Sequence, residues 1–305
     1  MDAFIDFIMK IIQCLINGLS TGSIYALVAL GYTMVYGIIK LINFAHGDFI
    51  MIGCYVAFIF VPIFYQINPN LVWLAFPFVI ALCSLLGVAT EKIAYKPLRK
   101  SKRITALITA IGVSIFIQNV FLAIYGSNAQ YTKNGTYFPL HNIKAGQLLI
   151  STNAIITISL LIICTVLLTL FVKYTRAGKS MKAVSENPKA AELMGINVNK
   201  TISITFAIGS GLAGVAACIY FMTYPQITPT LGGLLGIKAF VAAVLGGIGL
   251  IPGAVLGGLL IGILEALFIG FGQSKWADAI VFAILIIILL VKPAGILGKN
   301  RKEKV

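Results

Sequence analysis

The residues best able to do chemistry lie in one short string, "INFAHGDF" (42–49), set between two apolar runs. His46 and Asp48 stand two positions apart, with Asn43 and Gly47 beside them. An ionisable side chain inside an apolar run is a functional candidate by default, and an imidazole near a carboxylate could form a catalytic pair. The remainder of an enzyme is missing. The only other histidine, His141, lies in a polar loop, and neither a metal-ligand cluster nor an activated nucleophile occurs. Two plainer roles remain: satisfied helix caps, or a polar break kept beside a transport path.

Glu265 is a second isolated charge, within the apolar stretch 252–271. Burying it costs about 2.5–3.5 kcal/mol on insertion scales, so it must face protein or water. Its partner cannot be read from the sequence, whereas Glu91 is followed at once by Lys92 and a basic loop. Two glycine strings mimic nucleotide sites. "AGKS" (177–180) resembles the end of a phosphate-binding loop, but the first glycine would fall at 173, which is lysine. "GSGLAG" (209–214) is a literal G-x-G-x-x-G inside an apolar run, not after a soluble strand. It reads as a helix-packing seam, as do Gly249, Gly253 and Gly257, and Gly258 with Gly262. The chain thus offers no ATPase site of its own. The five cysteines stand singly, with no C-x-x-C, and read as small packing residues.

The elements that position these residues follow from composition. Apolar residues are 59% and charged ones 10% of 305 positions, against about 45–50% and about 25% in soluble domains. Too few polar side chains exist to cover a water-facing surface, so the chain is a multi-span membrane protein. The net charge of +14 would otherwise suggest nucleic acid. Here the basic residues sit between apolar runs without stacking aromatics, so no nucleic-acid partner is expected. "MDAFIDFIMK" has two Asp before its first Lys, unlike a signal peptide, so the mature chain is expected to keep it.

Stretches of about 20 apolar residues occur at 18–39, 43–65, 71–94, 104–124, 152–172, 201–222, 252–271 and 277–291. These predict eight spans. A shorter Gly-rich piece at 237–249 is open to being re-entrant, and residues 3–16, with Asp6, Lys10 and Gln13, are expected along the interface. Threading the spans puts 18 of the 23 Lys and Arg on one side: Lys40, Lys92, five in 95–103, six in 173–200 and five from Lys292 onward. The positive-inside rule makes that side cytoplasmic, the C-terminus included. Loop 125–151 falls outside; its "NGT" (134–136) carries no weight as a glycosylation site.

Within 173–200, Asn187 can cap a helix, Pro188 suits its first turn and Gly195 the position past its last. The intervening "PKAAELM" predicts two turns, with Ala190, Leu193 and Met194 on one face and Lys189 and Glu192 on the other. So short a helix is marginal alone. Either the rest of the protein or a cytoplasmic subunit must hold it. The run 242–258 collects Gly246, Gly247, Gly249 and Pro252, which disfavour a continuous helix. It is either a broken helix lining a path or a tight cytoplasmic turn near 250. "INFAHGDF" and "IGLIPGAV" (248–255) align with Ile and Gly in place, a weak match between two breaks that each follow an apolar run.

"TGSIYALVALGYTMVYGIIKLINFAHGDFIMIG" (21–53), "SKRITALITAIGVSIFIQN" (101–119), "ENPKAAELMGINVNK" (186–200), "KAFVAAVLGGIGLIPGAVLGGLLIGILEAL" (238–267) and "KPAGILG" (292–298) resemble the LivH-type permeases of bacterial branched-chain amino-acid ABC importers. The likeness is continuous in order, weakest in 125–151 and the first dozen residues. It implies an all-α polytopic ABC-importer permease, one domain over 1–305, in the bacterial cytoplasmic membrane. Its implied partners are a second homologous permease, two cytoplasmic ATP-binding subunits, an extracytoplasmic binding protein and lipid. No cofactor binds the chain itself, and ATP is hydrolysed by the partners. The family's coupling element matches Glu186 to Gly195, covering Glu186, Asn187, Pro188, Ala190, Ala191, Leu193, Met194 and Gly195. Asn43, His46, Gly47, Asp48, Gly246, Gly247, Gly249 and Pro252 become candidates for the path. Urea and short-chain amide importers have similar permeases, which leaves the substrate partly open. An ion-coupled carrier is the competing mechanism. It needs intramembrane acids, for which only Glu265 and Asp48 are available, and it leaves the capped helix unexplained.

Overall fold

A computed structural model describes residues 2–99, 101–133, 137–138, 141–146, 148–224 and 226–298. Among them are eleven α-helices: α1 (Asp2–Ile39), α2 (His46–Ile67), α3 (Ala75–Thr90), α4 (Arg103–Tyr125), α5 (Thr152–Tyr174), α6 (Arg176–Glu186), α7 (Pro188–Leu193), α8 (Val198–Thr223), α9 (Leu231–Gly246), α10 (Ile251–Gly270) and α11 (Ser274–Val291). Eight are long and apolar enough to cross a membrane, the number the sequence predicts. The chain is a polytopic helical membrane protein.

Residues 3–16 do not form a separate interfacial piece. They continue into α1, a single helix of 38 residues, about 57 Å long at 1.5 Å per residue. The polar residues expected at the interface hold this end instead. Gln13 donates to Leu149 O (2.9 Å) and accepts from Leu149 N (2.9 Å).

Small residues decide which helices are central. Apolar attraction supplies no drive between helices already in lipid, so close approach comes from side chains that stay out of the way. α1 and α8 carry glycine and alanine stripes, and 78% and 72% of their most apolar windows are buried. α4, α5 and α11 carry Ile, Leu and Phe around their girth, and only 6%, 17% and 11% is buried. A Cβ on Gly22 would stand 2.9 Å from the Leu259 backbone, and one on Gly18 would stand 2.6 Å from that of Ile263, so α1 and α10 run antiparallel in contact. The "GSGLAG" seam behaves likewise: Gly214 faces the Ile80 backbone and Gly211 faces Ser84. Gly253, Gly257, Gly258 and Gly262 are all seam positions on α10. Gly249 is not, because it lies in the turn before α10 with φ +93° and its nearest neighbour, Gly37 Cα, is 3.7 Å away.

The short Gly-rich piece is a 16-residue helix, α9, that starts six residues earlier than expected. Gly246 abuts Gly253 and Ala242 abuts Gly257, so α9 and α10 form an antiparallel hairpin around residues 247–250. At one end of the bundle, Gln130–Tyr131 (β1) pairs with Gln226–Ile227 (β4), and Asn142–Ala145 (β2) pairs with Leu148–Ser151 (β3), both antiparallel. "NGT" lies outside the described residues. At the other end the basic segments meet. Arg99 donates to Asn199 Oδ1 (2.6 Å), and a cavity brings Lys40, Glu186 and Pro293 together.

Candidate functional site

Four features hold the sequence's candidates. The first is α7. Asn187 Oδ1 accepts from Lys189 N (3.0 Å) and Ala190 N (3.1 Å), and Pro188 occupies the first turn. Ile196 N donates back to Ala191 O (3.0 Å) around Gly195, whose φ is +80°. That is the left-handed stop glycine permits. The helix has six residues, with Met194 as its cap rather than its last turn.

Its burial leaves the apolar face of Ala190, Leu193 and Met194 outward, unheld by this chain. Ala191 is 4% exposed and packs with Val184, Ile202 and Val35. Leu193 and Met194 are 89% and 82% exposed, and Ala190 is exposed too. The side chain nearest the bundle is therefore the small one between the predicted face positions, and the large apolar pair points away from this chain. α6 supports the platform, burying Met181 and Val184 while Lys179 and Lys182 face out. The "AGKS" residues are the start of this amphipathic helix. Glu186 ends it and lines the cavity shared with Lys40.

The second feature is "INFAHGDF". Threading puts it near the end of α1, but the fold carries it deeper. The His46 imidazole fills the space beside Gly31 and its ring lies 4.7 Å from that of Tyr32. Gly31 precedes the end of α1 by eight residues, about 12 Å along the axis. Residues 40–45 thus turn back and climb along α1, and α2 begins inside the bundle. Lys40, with φ +58°, makes the turn. Gly47 packs against Gly232 and Gly236 so closely that a Cβ would overlap the Gly232 carbonyl oxygen.

The climbing strand satisfies its backbone partly through side chains. Asn43 Oδ1 accepts from Ala45 N (3.1 Å) and from Tyr95 OH (2.6 Å). Asp48 Oδ1 accepts from Gln118 Nε2 on α4 (2.9 Å). Asn43, His46 and Asp48 are all at most 2% exposed. Yet Asn43 Nδ2 and His46 Nε2 find no hydrogen-bond partner among the described residues. Each such buried orphan costs about 1–3 kcal/mol.

The third feature is the break 246–252. Gly247 has φ +107° and Pro252 opens α10. The freed carbonyls at the end of α9 are taken by the C-terminal turn, through Ile296 N to Leu245 O (2.8 Å) and Leu297 N to Gly246 O (3.2 Å). The "KPAGILG" string is therefore a backbone cap, a role its sequence signals only through Gly295 and Gly298. Gly249 lines a cavity of about 570 Å³ with Gly37, Lys40 and Glu186. Pro252 is exposed.

The fourth feature escaped the sequence reading. Glu265 is paired with Lys238: Lys238 Nζ donates to Glu265 Oε1 (2.8 Å) and Asp278 Oδ1 (2.7 Å), and Tyr25 OH donates to Glu265 Oε2 (2.8 Å). The signal was present, since Lys238 and Glu265 are the only charged residues between 231 and 270. The pair borders a cavity of about 320 Å³ at the end of the bundle carrying loop 125–151. Between this cavity and the one at Gly249, Tyr32, Ile42, Phe240 and Ile248 close together. Glu91, fully buried, pairs with Arg99 of the basic loop that follows it and accepts from Ser203 Oγ (2.7 Å).

The comparisons with known proteins point one way. The family model described as branched-chain amino acid transport system / permease component matches residues 14–289. The chain is 43% identical to the high-affinity branched-chain amino acid transport system permease protein LivH of Escherichia coli K12, over 96% of this chain and 97% of that one. It is 44% identical to BraD, the corresponding permease protein of Pseudomonas aeruginosa, over 96% and 98%. A probable LivH of Methanocaldococcus jannaschii is 32% identical over 92% and 90%. No solved structure matches. With a family match spanning most of its length and relatives aligned end to end, this chain belongs to the family of branched-chain amino acid transport permease components.

Proposed function

We propose that the chain is the membrane-spanning subunit of an ATP-driven importer of branched-chain amino acids, without an ATPase site of its own. α7 is the element that separate cytoplasmic ATP-binding subunits grip. The observation that carries this reading is the exposure of Leu193 and Met194 on a helix capped at both ends and anchored through Ala191. A six-residue helix does not hold itself in water, and one built this firmly to present two large apolar side chains suits a socket in a partner. The relatives, named as branched-chain amino acid permeases along their whole length, support that substrate over urea or amides. An ion-coupled carrier leaves the capped helix α7 and its outward apolar pair without a role.

The positive-inside rule supports placing 173–200 and the C-terminus in the cytoplasm. A second permease, a pair of ATPases and an external binding protein complete the assembly, and ATP is consumed only by the ATPases. The path assigned here runs between α1 and α9. It leads from the cavity at Lys238, past the constriction of Tyr32 and Phe240, to the cavity at Gly249. His46 stands behind Tyr32, so its unpaired Nε2 becomes reachable when ATPase closure rocks α1 away from α9.

Reconstitution tests this. The chain alone transports no leucine, and with ATPases and binding protein it takes leucine up when ATP is supplied. Uptake by the lone chain down a sodium or proton gradient would instead establish a carrier. Leu193→Glu combined with Met194→Glu abolishes co-purification of the ATPases while the protein still inserts. Retained co-purification would remove α7 from the interface. Ala191→Arg is the wrong probe, since Ala191 is packed inside this chain.

A further inference from the structure

The geometry points to a built station for the charged head of an α-amino acid at the Lys238–Glu265 pair, a site within the permease itself. This rests on the transport reading above and gives it a location.

A cationic and an anionic group stand side by side, 2.8 Å apart, on one wall of a cavity of about 320 Å³. Ligand pockets run from roughly 300 to 1,000 Å³, mostly apolar with a few convergent polar groups. This cavity has that size, with Ile24, Leu231, Leu234 and Leu235 forming an aliphatic patch among threonine, tyrosine and glutamine side chains. A free α-amino acid presents the complementary set: a carboxylate, an ammonium one carbon away, and for branched-chain members an aliphatic tail. The carboxylate takes Lys238 Nζ and the ammonium takes Glu265, each exchanging one partner of the resident ion pair for one of the ligand. The tail lies on the leucines.

The pair is equipped for that exchange. Of the three donors on a lysine ammonium, two are used among the described residues, on Glu265 and Asp278. Asp278 is about half exposed at its side chain, and Tyr25 OH steadies the far oxygen of Glu265. Lys238 therefore keeps a counter-charge when Glu265 turns to a ligand, and Glu265 keeps a donor when Lys238 turns away. A pair serving only to pin α9 to α10 would be better replaced by apolar side chains, because desolvating two charges often costs more than their attraction returns. Glycine lines that interface already and closes it without charges.

The experiment uses the purified importer complex without its binding protein, reading displacement of radiolabelled leucine by three compounds. These are leucine, leucinamide (no carboxylate) and 4-methylpentanoate (no amine). Wild type binds leucine saturably and binds each truncated analogue at least about tenfold more weakly, the cost of one lost charge-assisted contact. Lys238→Gln weakens leucine about tenfold and leaves leucinamide unchanged, whereas Glu265→Gln weakens leucine but not 4-methylpentanoate. Leu234→Trp, at a position 61% exposed, keeps the fold and weakens leucine.

Absence of saturable leucine binding in wild type overturns the proposal. So does an equal loss for all three compounds in Lys238→Gln, which marks a structural pin. If the charge variants do not assemble, unchanged leucine binding in Leu234→Trp overturns it alone. ATP-driven leucine uptake by the wild-type complex, measured in parallel, separates the two readings. If uptake is present and binding is not, this station falls and the transport function stands; if uptake is absent, both fall.

Discussion

The chain breaks its helical run at 40–45, where it turns back into the bundle, and at 247–250, at the bundle's basic end, and satisfies the freed backbone in different ways. Backbone amides and carbonyls freed inside an apolar environment must find partners. At 247–250 the partner is backbone. The C-terminal turn supplies Ile296 N and Leu297 N to the last carbonyls of α9, and no polar side chain is needed. At 40–45 backbone bonds from Lys40 N to Tyr36 O and from His46 N to Asn43 O are joined by a side chain, Asn43, which is held by Tyr95 and leaves its own Nδ2 and the nearby His46 Nε2 unsatisfied. A structural break can be closed cheaply, as the second shows. The first carries polar groups beyond what closure requires, as a site that must hydrate or meet a substrate in another state would.

The sharpest way to break this comparison is to remove the space each turn needs. Gly47→Val drives a side chain into the Gly232 carbonyl and the Gly236 backbone. Neither is a flexible side-chain end, so the cost exceeds the usual 1–3 kcal/mol of overpacking, roughly speaking, and the protein fails to accumulate in membranes. Gly249→Ala meets only an ordinary contact with Gly37 Cα at 3.7 Å and a strained φ of +93°, about 1–2 kcal/mol. It lowers the melting temperature in detergent but still accumulates. Equal loss of both would show that the two turns are packed alike.

Next in size is the backbone cap. Ile296→Pro deletes the donor to Leu245 O, leaving a buried carbonyl unpaired at about 1–3 kcal/mol. Thermal unfolding should move down by several degrees, while Ile296→Val leaves it nearly unchanged. Smaller still is Tyr95→Phe, which removes one donor to Asn43 Oδ1 while Ala45 N keeps the other, a loss of about 0.5–1.5 kcal/mol. If Tyr95→Phe destabilises more than Ile296→Pro, side chains rather than backbone bear the load at both breaks.

The sequence made much of this legible and some of it invisible, for physical reasons. Eight spans follow from apolar runs longer than a bilayer is thick, and the capped α7 follows from Asn187, Pro188 and Gly195 in order. The two breaks announced themselves through Gly, Pro and polar residues. Depth did not. That residues 40–45 climb about 12 Å along α1 is decided by Gly31, Gly232 and Gly236, whose only local trace is the lack of a side chain. Nor could periodicity show that Ala191 is the anchored residue of α7, since a six-residue helix has no averaged face and its neighbours Leu193 and Met194 are the apolar ones. The Lys238–Glu265 pair spans 27 positions across a hairpin, and only counting the charges between 231 and 270 hints at it.

The smallest expected change in stability belongs to Asp48→Asn, and it tests the comparison most directly. Asparagine has nearly the shape of aspartate and keeps an Oδ1 that can accept from Gln118 Nε2, so the bond between α2 and α4 survives. Insertion and melting temperature should stay within experimental scatter. What disappears is an ionisable carboxyl buried in the first turn of α2, two residues from His46 with its unpaired Nε2. If the polar surplus at this break exists for closure, ATP-driven leucine uptake is as insensitive to Asp48→Asn as folding is. If it exists for passage, uptake falls several-fold with the fold intact. His46→Ala cannot make that separation, because the imidazole fills the space beside Gly31 and its loss empties a packed site. A carboxyl that matters to transport but not to stability is what distinguishes a break that serves the path from one that merely turns the chain.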